Sequence, residues 1–249
     1  MRVEGKSIII TGGAGSLGNQ LIEFLLSHGA KIIAIDRDEK GLEQLSKVYS
    51  DVDVKVCDLT DFDEVHLTMN ELCKSSGPPD VLINNVGALF NMPLVGFKSD
   101  GLCPHDVDMW DKMIAINLNS TFYVTVNIIP HMIKKRIRGV IVNIGSISAA
   151  GNPGQSAYAA SKAGIEALTK VWAAELGPLG IRVACIAPGF FNTSSTRKVL
   201  SEENLKQIRS EIPLRRLGQT EEIANAVLFV LENDYFNGRT LQLDGGMRI

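Results

Sequence analysis

Short apolar runs rich in β-branched side chains alternate along this chain with longer stretches whose apolar residues recur every three or four positions. The short runs, at residues 6–11, 30–35, 52–56, 80–83, 139–144, 181–186 and 239–243, predict strands. Most are continuously apolar, as expected of strands covered on both faces. Leu17, Leu21, Phe24 and Leu25 predict a first helix that ends at His28-Gly29. Residues 39–48 predict a short helix with Leu42 and Leu45 inward, and Phe62, Val65, Met69 and Leu72 mark the next. Residues 106–136 predict a long helix bent or interrupted at Pro130, and residues 156–176 another, stopped by Gly177-Pro178. Thr220 is the expected N-cap of the last helix, with Glu221 and Glu222 in its first turn. Residues 87–104 read as a loop, and the polar, broken segment 190–214 as a mobile lid. The regular alternation argues an α/β fold with a parallel, doubly wound sheet, and residues 1–249 read as one domain.

Composition narrows the partners. Hydrophobic residues make up 45% of the chain, enough for a sizeable core, and the formal net charge of −3 argues against a nucleic-acid partner. The opening MRVEGKSIII has no signal-peptide pattern, and no apolar run approaches the ~20 residues of a membrane span. A cytoplasmic location without membrane association is therefore expected. The four cysteines, Cys57, Cys73, Cys103 and Cys185, form no Cys-x-x-Cys and make no ligand spacing with histidine, so no metal site is expected.

The first strand runs into Gly12-Gly13-Ala14-Gly15-Ser16-Leu17-Gly18, then a helix, then a second strand ending at Asp36. Strand, glycine loop, helix, strand and acid in this order are the context of a dinucleotide fingerprint. Glycines let the backbone approach a pyrophosphate whose charge sits at the helix N-terminus. Asp36, eighteen residues after Gly18, is placed to accept hydrogen bonds from the adenine-ribose hydroxyls. Asp58 follows the third strand, where it could meet the adenine edge or lead the next helix.

A second constellation lies at residues 143–162. Ser146 follows the fifth strand, and after a glycine-punctuated loop Tyr158 and Lys162 stand four residues apart in an alanine-rich helix. Residues at i and i+4 share one helix face. Moving a tyrosine from ~10 to near neutrality needs about 4 kcal/mol of preference for phenolate. A neighbouring cation on a desolvated face supplies much of that, so Tyr158 reads as a general acid/base tuned by Lys162. The alternative is an ordinary surface pair. Asn117 is a polar residue in the apolar stretch AINLNSTF, as either a site residue or a buried amide bonded to backbone.

Thr11-Gly12 through Gly18, Asp58, Asn84-Asn85-Val86-Gly87, Asn117, Ser146, Tyr158 with Lys162, Pro188-Gly189 and Asp244-Gly245-Gly246 occur in the order of one family. Over nearly its whole length the chain resembles the classical short-chain dehydrogenases/reductases. The resemblance implies a Rossmann-type three-layer αβα sandwich with a seven-stranded, mainly parallel sheet. It also implies a nicotinamide cofactor and a homotetramer or homodimer. By the same resemblance Tyr158 exchanges a proton with the substrate oxygen, and Lys162 lowers its pKa and bonds the nicotinamide ribose. Ser146 orients the substrate, and Asn117 holds a water in a proton relay leading from Lys162. Gly12, Ser16, Leu17 and Gly18 are expected along the pyrophosphate, Asn85 by the adenosine ribose and Thr193 at the carboxamide. Gly15, Arg37, Leu59, Val86, Gly87, Pro188, Gly189 and Phe191 complete the expected cofactor contacts.

Some features depart from the family pattern. Ser16 stands where glycine is usual, and TGGAGSLG looks more like the loop of sugar-nucleotide epimerases and dehydratases; those carry an added C-terminal domain, whereas about sixty residues follow Pro188 here. The loop after Gly87 is long and the 233–238 loop short, as in type 2 3-hydroxyacyl-CoA dehydrogenases. Ser148 is the alternative to Ser146. Asp36 opposes a 2′-phosphate and favours NAD, while Arg37 leaves NADP as the second choice. The expected activity is NAD(P)-dependent interconversion of a secondary alcohol and a ketone. Candidate substrates are a 3-oxoacyl or 3-hydroxyacyl thioester, a steroid, a sugar or a small alcohol. The pocket walls are expected from residues 89–109, 147–155 and 190–200, with Phe90, Met92, Leu94, Phe190 and Phe191 suggesting an apolar pocket. A sugar-nucleotide-modifying enzyme and a non-catalytic nucleotide sensor are the alternatives. Trp172 is a candidate anchor of a subunit interface, or a core residue.

Overall fold

The structure, a computed structural model, describes residues 1–98, 101–193, 196–197 and 201–247. Seven parallel strands form one sheet: β1 (Ser7–Thr11), β2 (Lys31–Asp36), β3 (Asp53–Val56), β4 (Val81–Asn84), β7 (Val140–Ile144), β8 (Arg182–Pro188) and β9 (Thr240–Leu243). Their order is β3-β2-β1-β4-β7-β8-β9, so the chain builds outward from β1 in one direction and then, from β4, in the other. That reversal leaves a crevice beyond the carboxyl ends of β1 and β4, where such sheets bind ligands.

The connecting helices are α1 (Ser16–Ser27), α2 (Glu39–Val48), α3 (Phe62–Ser75), α4 (Val107–Ile114), α5 (Ser120–Lys134), α6 (Ser156–Leu176), α7 (Glu202–Glu211) and α8 (Thr220–Glu232). The period-2 geometry of a strand separates consecutive isoleucines. Ile8 and Ile10 pack with Leu21, Leu25 and Val227 on one face of the sheet, while Ile9 packs with Val65, Met69, Val124 and Ile128 on the other. Each fully buried side chain of this kind contributes about 1.5–3 kcal/mol, and together they fix the strand ends that carry the site.

Three expectations are corrected, and one left open is decided. Within the expected loop 87–104, β5 (Val95–Lys98) and β6 (Gly101–Pro104) form an antiparallel hairpin. The segment has no long alternating run, and its pairing is local. The helix predicted over 106–136 is interrupted at Ala115–Asn119, where the ladder widens and the Ser120 N–H bonds to the Ala115 carbonyl; α5 continues through Pro130. Gln219, not Thr220, caps α8, because the Glu222 carboxylate turns back to accept from the Gln219 N–H at 2.7 Å. Trp172 is a core residue, packed with Ala173 and Leu176 beneath the sheet. The expected lid at 190–214 contains α7, and its residues 194, 195 and 198–200 lie outside the described residues.

Candidate active site

A cleft of about 460 Å³ opens over the carboxyl ends of the central strands. Its floor is made by the turn after β1. Gly12 takes φ +68°, and a Cβ on Gly18 would collide with the Gly12 carbonyl, so the loop folds tightly back on the start of α1. No side chain caps α1 and its first turn holds no acid. Its leading N–H groups, at Ser16, Leu17 and Gly18, therefore face the cleft these residues line. This is a cradle for a phosphate-sized anion at the positive end of a helix dipole. Ser16 is the first residue of α1, within ordinary helical backbone, which explains why serine is tolerated there.

Gly15 and Asp36 also line the cleft. Asp36 already accepts from the Ala14 N–H and from the Asp38 N–H, each at 3.1 Å, so its carboxylate is held in place at the end of β2. Arg37 and Asp58 stand beside it, and the Arg37 charge acts on Asp58. Hydrogen bonds from the Thr60 main chain and hydroxyl, at 2.9 and 2.7 Å, are the main reason the Asp58 pKa lies below the usual range. Asp61, rather than Asp58, caps α3. Leu59 completes this end of the cleft.

Asn85, Val86 and Gly87 line the middle. The Asn85 amide donates to the carbonyls of Thr11 and Gly12 at 3.0 and 3.2 Å, which clamps the end of β4 to the glycine turn. Thr11 reinforces the clamp by accepting from the Asn85 N–H at 3.0 Å. Opposite lie Pro188, Gly189, Phe191 and Thr193. Phe191 is buried, and its ring occupies the space a side chain at Gly218 would need.

Ser146, Tyr158 and Lys162 meet at the far end. Ser146 leads the short turn Ile147–Ala150 after β7, and its oxygen accepts from the Ser148 N–H at 3.1 Å, leaving its proton to donate. Ser148 is buried behind it and is not among the residues lining the cleft. Lys162 is buried and donates to the Ile144 carbonyl at 2.8 Å. Burial lowers its pKa from 10.5 to about 8, with the Cys185 thiol opposing. Its ammonium lies 5.7 Å from the centre of the Tyr158 ring.

The expected lowering of the Tyr158 pKa by Lys162 is not present in this arrangement. Burial pushes the phenol up, and the opposing pull comes from the Ser146 hydroxyl. The Lys162 ammonium is instead engaged by the Ile144 carbonyl. Asn117 is fully buried behind the cleft wall, in the widened turn of the helix. Its side chain accepts from the Ala88 N–H at 3.0 Å and donates to the carbonyls of Ala88 and Met113 at 2.9 and 3.0 Å. Gly87 separates it from Lys162: a Cβ there would stand 3.1 Å from Asn117 Oδ1 and 3.4 Å from Lys162 Nζ. Wide helical turns of this type are frequent at functional sites.

Of the expected apolar pocket residues, Phe191 lines the cleft, joined by Leu89, whereas Phe90 and Leu94 are exposed on the segment leading to the hairpin. That segment is tied to the start of α6 by the Met92 N–H donating to the Gly154 carbonyl at 2.7 Å and by the Gln155 amide donating to Asn91 at 3.0 Å. Cys57, Ile116, Ile144, Gly145, Thr196 and Ile223 also line the cleft without having been singled out. They carry no motif and reach it only through the tertiary fold.

A family profile described as enoyl-(acyl carrier protein) reductase matches residues 12–248. The 3-oxoacyl-(acyl-carrier-protein) reductase FabG of Thermotoga maritima is 39% identical over 256 residues, covering all of both chains. FabG of Escherichia coli is 34% identical over 99% of each. A solved structure from Agrobacterium tumefaciens, described as a gluconate dehydrogenase, is 27% identical and superposes with a TM-score of 0.91 over 98% of this chain and 96% of its own. The chain belongs to the short-chain dehydrogenase/reductase family, whose cofactor is a nicotinamide nucleotide, and is an oxidoreductase acting on an alcohol or ketone group.

Proposed function

We propose that the chain interconverts a 3-oxoacyl and a 3-hydroxyacyl thioester, with NAD(H) as the cofactor and Tyr158 as the proton donor and acceptor. The observation that carries the chemistry is the convergence of Ser146, Tyr158 and Lys162 on one end of a cleft whose other end is a glycine cradle and a fixed Asp36. The substrate class rests on full-length similarity, at 39% identity, to a reductase named for a 3-oxoacyl substrate and on the apolar Leu89, Ile116 and Phe191 that line the same cleft as Tyr158.

A bound nicotinamide supplies or accepts the hydride at the substrate carbon. The rest falls to this chain's side chains. Ser146 donates its free proton to the substrate oxygen and orients it. Tyr158 gives its phenolic proton to that oxygen in reduction and recovers it in oxidation; such positioned proton transfer is worth about 10²–10⁴ in rate. Lys162, held beside the Tyr158 ring by its bond to the Ile144 carbonyl, would bond the nicotinamide ribose. Asn117 holds the Gly87-Ala88 backbone against Lys162. Asp36 receives the adenine-ribose hydroxyls and opposes a 2′-phosphate.

We place the chain in the cytoplasm as a homodimer or homotetramer. Exposed Phe122, Val126 and Val171 on α5 and α6 would form the contact. Among the described residues no helix is long and apolar enough to cross a membrane. The test of the substrate class is consumption of reduced cofactor, read by absorbance, with acetoacetyl thioesters against sugar lactones, steroids and simple ketones. Fastest turnover of the thioester supports the assignment; preference for a sugar substrate would replace it.

A further inference from the structure

Four buried polar side chains lie behind the active site, away from the cleft: Asn84 on β4, Thr125 on α5, Asn143 on β7 and Thr169 on α6. Asn84 and Asn143 are register partners on adjacent strands. The Asn84 amide nitrogen donates to Thr125 Oγ1 at 3.1 Å and to Asn143 Oδ1 at 2.9 Å, and the Asn143 amide nitrogen donates to Thr169 Oγ1 at 2.9 Å. Each threonine spends its own proton on its helix, Thr125 on the Thr121 carbonyl at 2.7 Å and Thr169 on the Ile165 carbonyl at 2.9 Å.

This fixes the direction of every bond. A threonine whose proton is committed can only accept, so Asn143 must turn its nitrogen to Thr169 and hence its oxygen to Asn84. Asn84 must then present its nitrogen to both neighbours. The two hydroxyls at the ends set the orientation of both amides, and the chain runs unbroken from helix through two strands to helix. One acceptor is left without a partner, Asn84 Oδ1. An unmet buried acceptor costs about 1–3 kcal/mol, and an apolar set of the same shape would avoid that cost. Stability alone is a poor reason for this arrangement.

Its position supplies a better one. The four elements it joins are those that carry the proposed site. Asn84 directly precedes Asn85 to Gly87, and Asn143 lies three residues before Ser146. Thr125 lies eight residues after Asn117, and Thr169 seven residues after Lys162 on the same helix. Taking Ser146, Tyr158 and Lys162 as the reacting groups, we propose that Asn84, Asn143, Thr125 and Thr169 are positioning residues. They lock α5, β4, β7 and α6 in the mutual register that holds those groups at proton-transfer distance. Proton transfer needs heavy atoms about 2.6–3.2 Å apart, and a misplacement of about 1 Å can cost 10²-fold.

The test is Thr169→Val, which keeps shape and removes the acceptor, with Thr169→Ser as the conservative rescue. In Thr169→Val, kcat is expected to fall at least about tenfold while KM and the NADH dissociation constant stay within about twofold, and Thr169→Ser is expected to restore kcat. Unchanged kcat, or a fall that only follows loss of folded protein, overturns the proposal. Because Thr169→Val strands an amide, the double variant Asn84→Leu/Asn143→Leu provides a second route: it removes the chain while both threonines stay satisfied on their helices. It is expected to keep its melting temperature and still lose turnover; a folded, fully active double variant overturns the proposal. A third reading does not depend on knowing the substrate. Ultraviolet titration of Tyr158, taken as the difference from Tyr158→Phe, is expected to move by at least about half a pH unit in Thr169→Val. An unmoved titration counts against positioning, whereas failure of the wild type on acetoacetyl thioesters counts only against the substrate class.

Discussion

The Lys162 ammonium donates to the Ile144 carbonyl at 2.8 Å, so the cation of the site is anchored to the end of the strand that delivers Ser146. The contact couples the chemistry of α6 to β7, and it holds a charge in a buried place. Burial lowers the Lys162 pKa to about 8 against an ordinary 10.5.

The sign of the resulting pH dependence follows from linkage. Between pH about 8 and 10.5 the unfolded chain holds a proton on Lys162 that the folded chain has lost, so this group's destabilising effect is full below pH 8 and fades as pH rises toward 10.5. The shift corresponds to on the order of 3 kcal/mol, offset in part by the bond to Ile144. Lys162→Met is therefore expected to be inactive yet more stable than the wild type near pH 7, by about 1–2 kcal/mol after the Ile144 carbonyl loses its partner. That advantage is expected to shrink by on the order of 1 kcal/mol at pH 9. Urea unfolding of both proteins at the two pH values measures it. Burial raises Cys57 and Cys73 to about 11, and their effect cancels in the comparison; Cys185, also raised to about 11, faces the Lys162 charge that Lys162→Met removes.

The glycine turn gives a graded test of the cofactor cradle. Gly18→Ala places a methyl group against the Gly12 carbonyl, whereas the same change at Gly15 brings one only to 3.2 Å from that oxygen. NADH fluorescence titration is expected to show at least about a tenfold loss of affinity for Gly18→Ala, near 1.4 kcal/mol or more, and a smaller one for Gly15→Ala. Equal, weak effects at both positions would remove the turn from the binding site.

Asp36 accepts from Ala14 and Asp38, so its carboxylate cannot swing away from an incoming 2′-phosphate without giving up both bonds. NADH is expected to bind at least about tenfold more tightly than NADPH, and Asp36→Asn to narrow the gap by removing the like charge. Tighter binding of NADPH by the wild type would transfer the decisive role to Arg37.

Exposed Phe122, Val126 and Val171 leave an apolar face on α5 and α6. Multi-angle light scattering is expected to give a dimer or tetramer, and Val126→Lys with Val171→Lys to shift it toward monomer. A wild-type monomer at assay concentration rejects the contact.

Much of this arrangement was legible in the chain. The strand signals at residues 6–11, 30–35 and 139–144 are dense in isoleucine and valine, and Gly12, Asp36 and Gly145-Ser146 follow their ends. The expected cofactor contacts, from Gly12 and Asp36 to Phe191 and Thr193, therefore fall along one cleft. What escaped the reading has more than one cause. The hairpin at 95–104 is a local pairing with weak alternation. The choice between core and interface for Trp172, left open by the sequence, depends on how α6 rotates against the sheet. The rise in the Tyr158 pKa comes from desolvation, which i,i+4 spacing does not encode. Cys57 and Ile223 reach the cleft from strand and helix ends with no motif around them.

The central claim is that Tyr158 carries the proton in alcohol–ketone interconversion, and one comparison tests it most directly. Wild type and Tyr158→Phe are assayed side by side for oxidation of NADH by an acetoacetyl thioester, with NADH affinity measured on the same samples. The account expects turnover to fall by about 10²–10⁴ in Tyr158→Phe with NADH affinity unchanged. Turnover in Tyr158→Phe equal to that of an active wild type would contradict it.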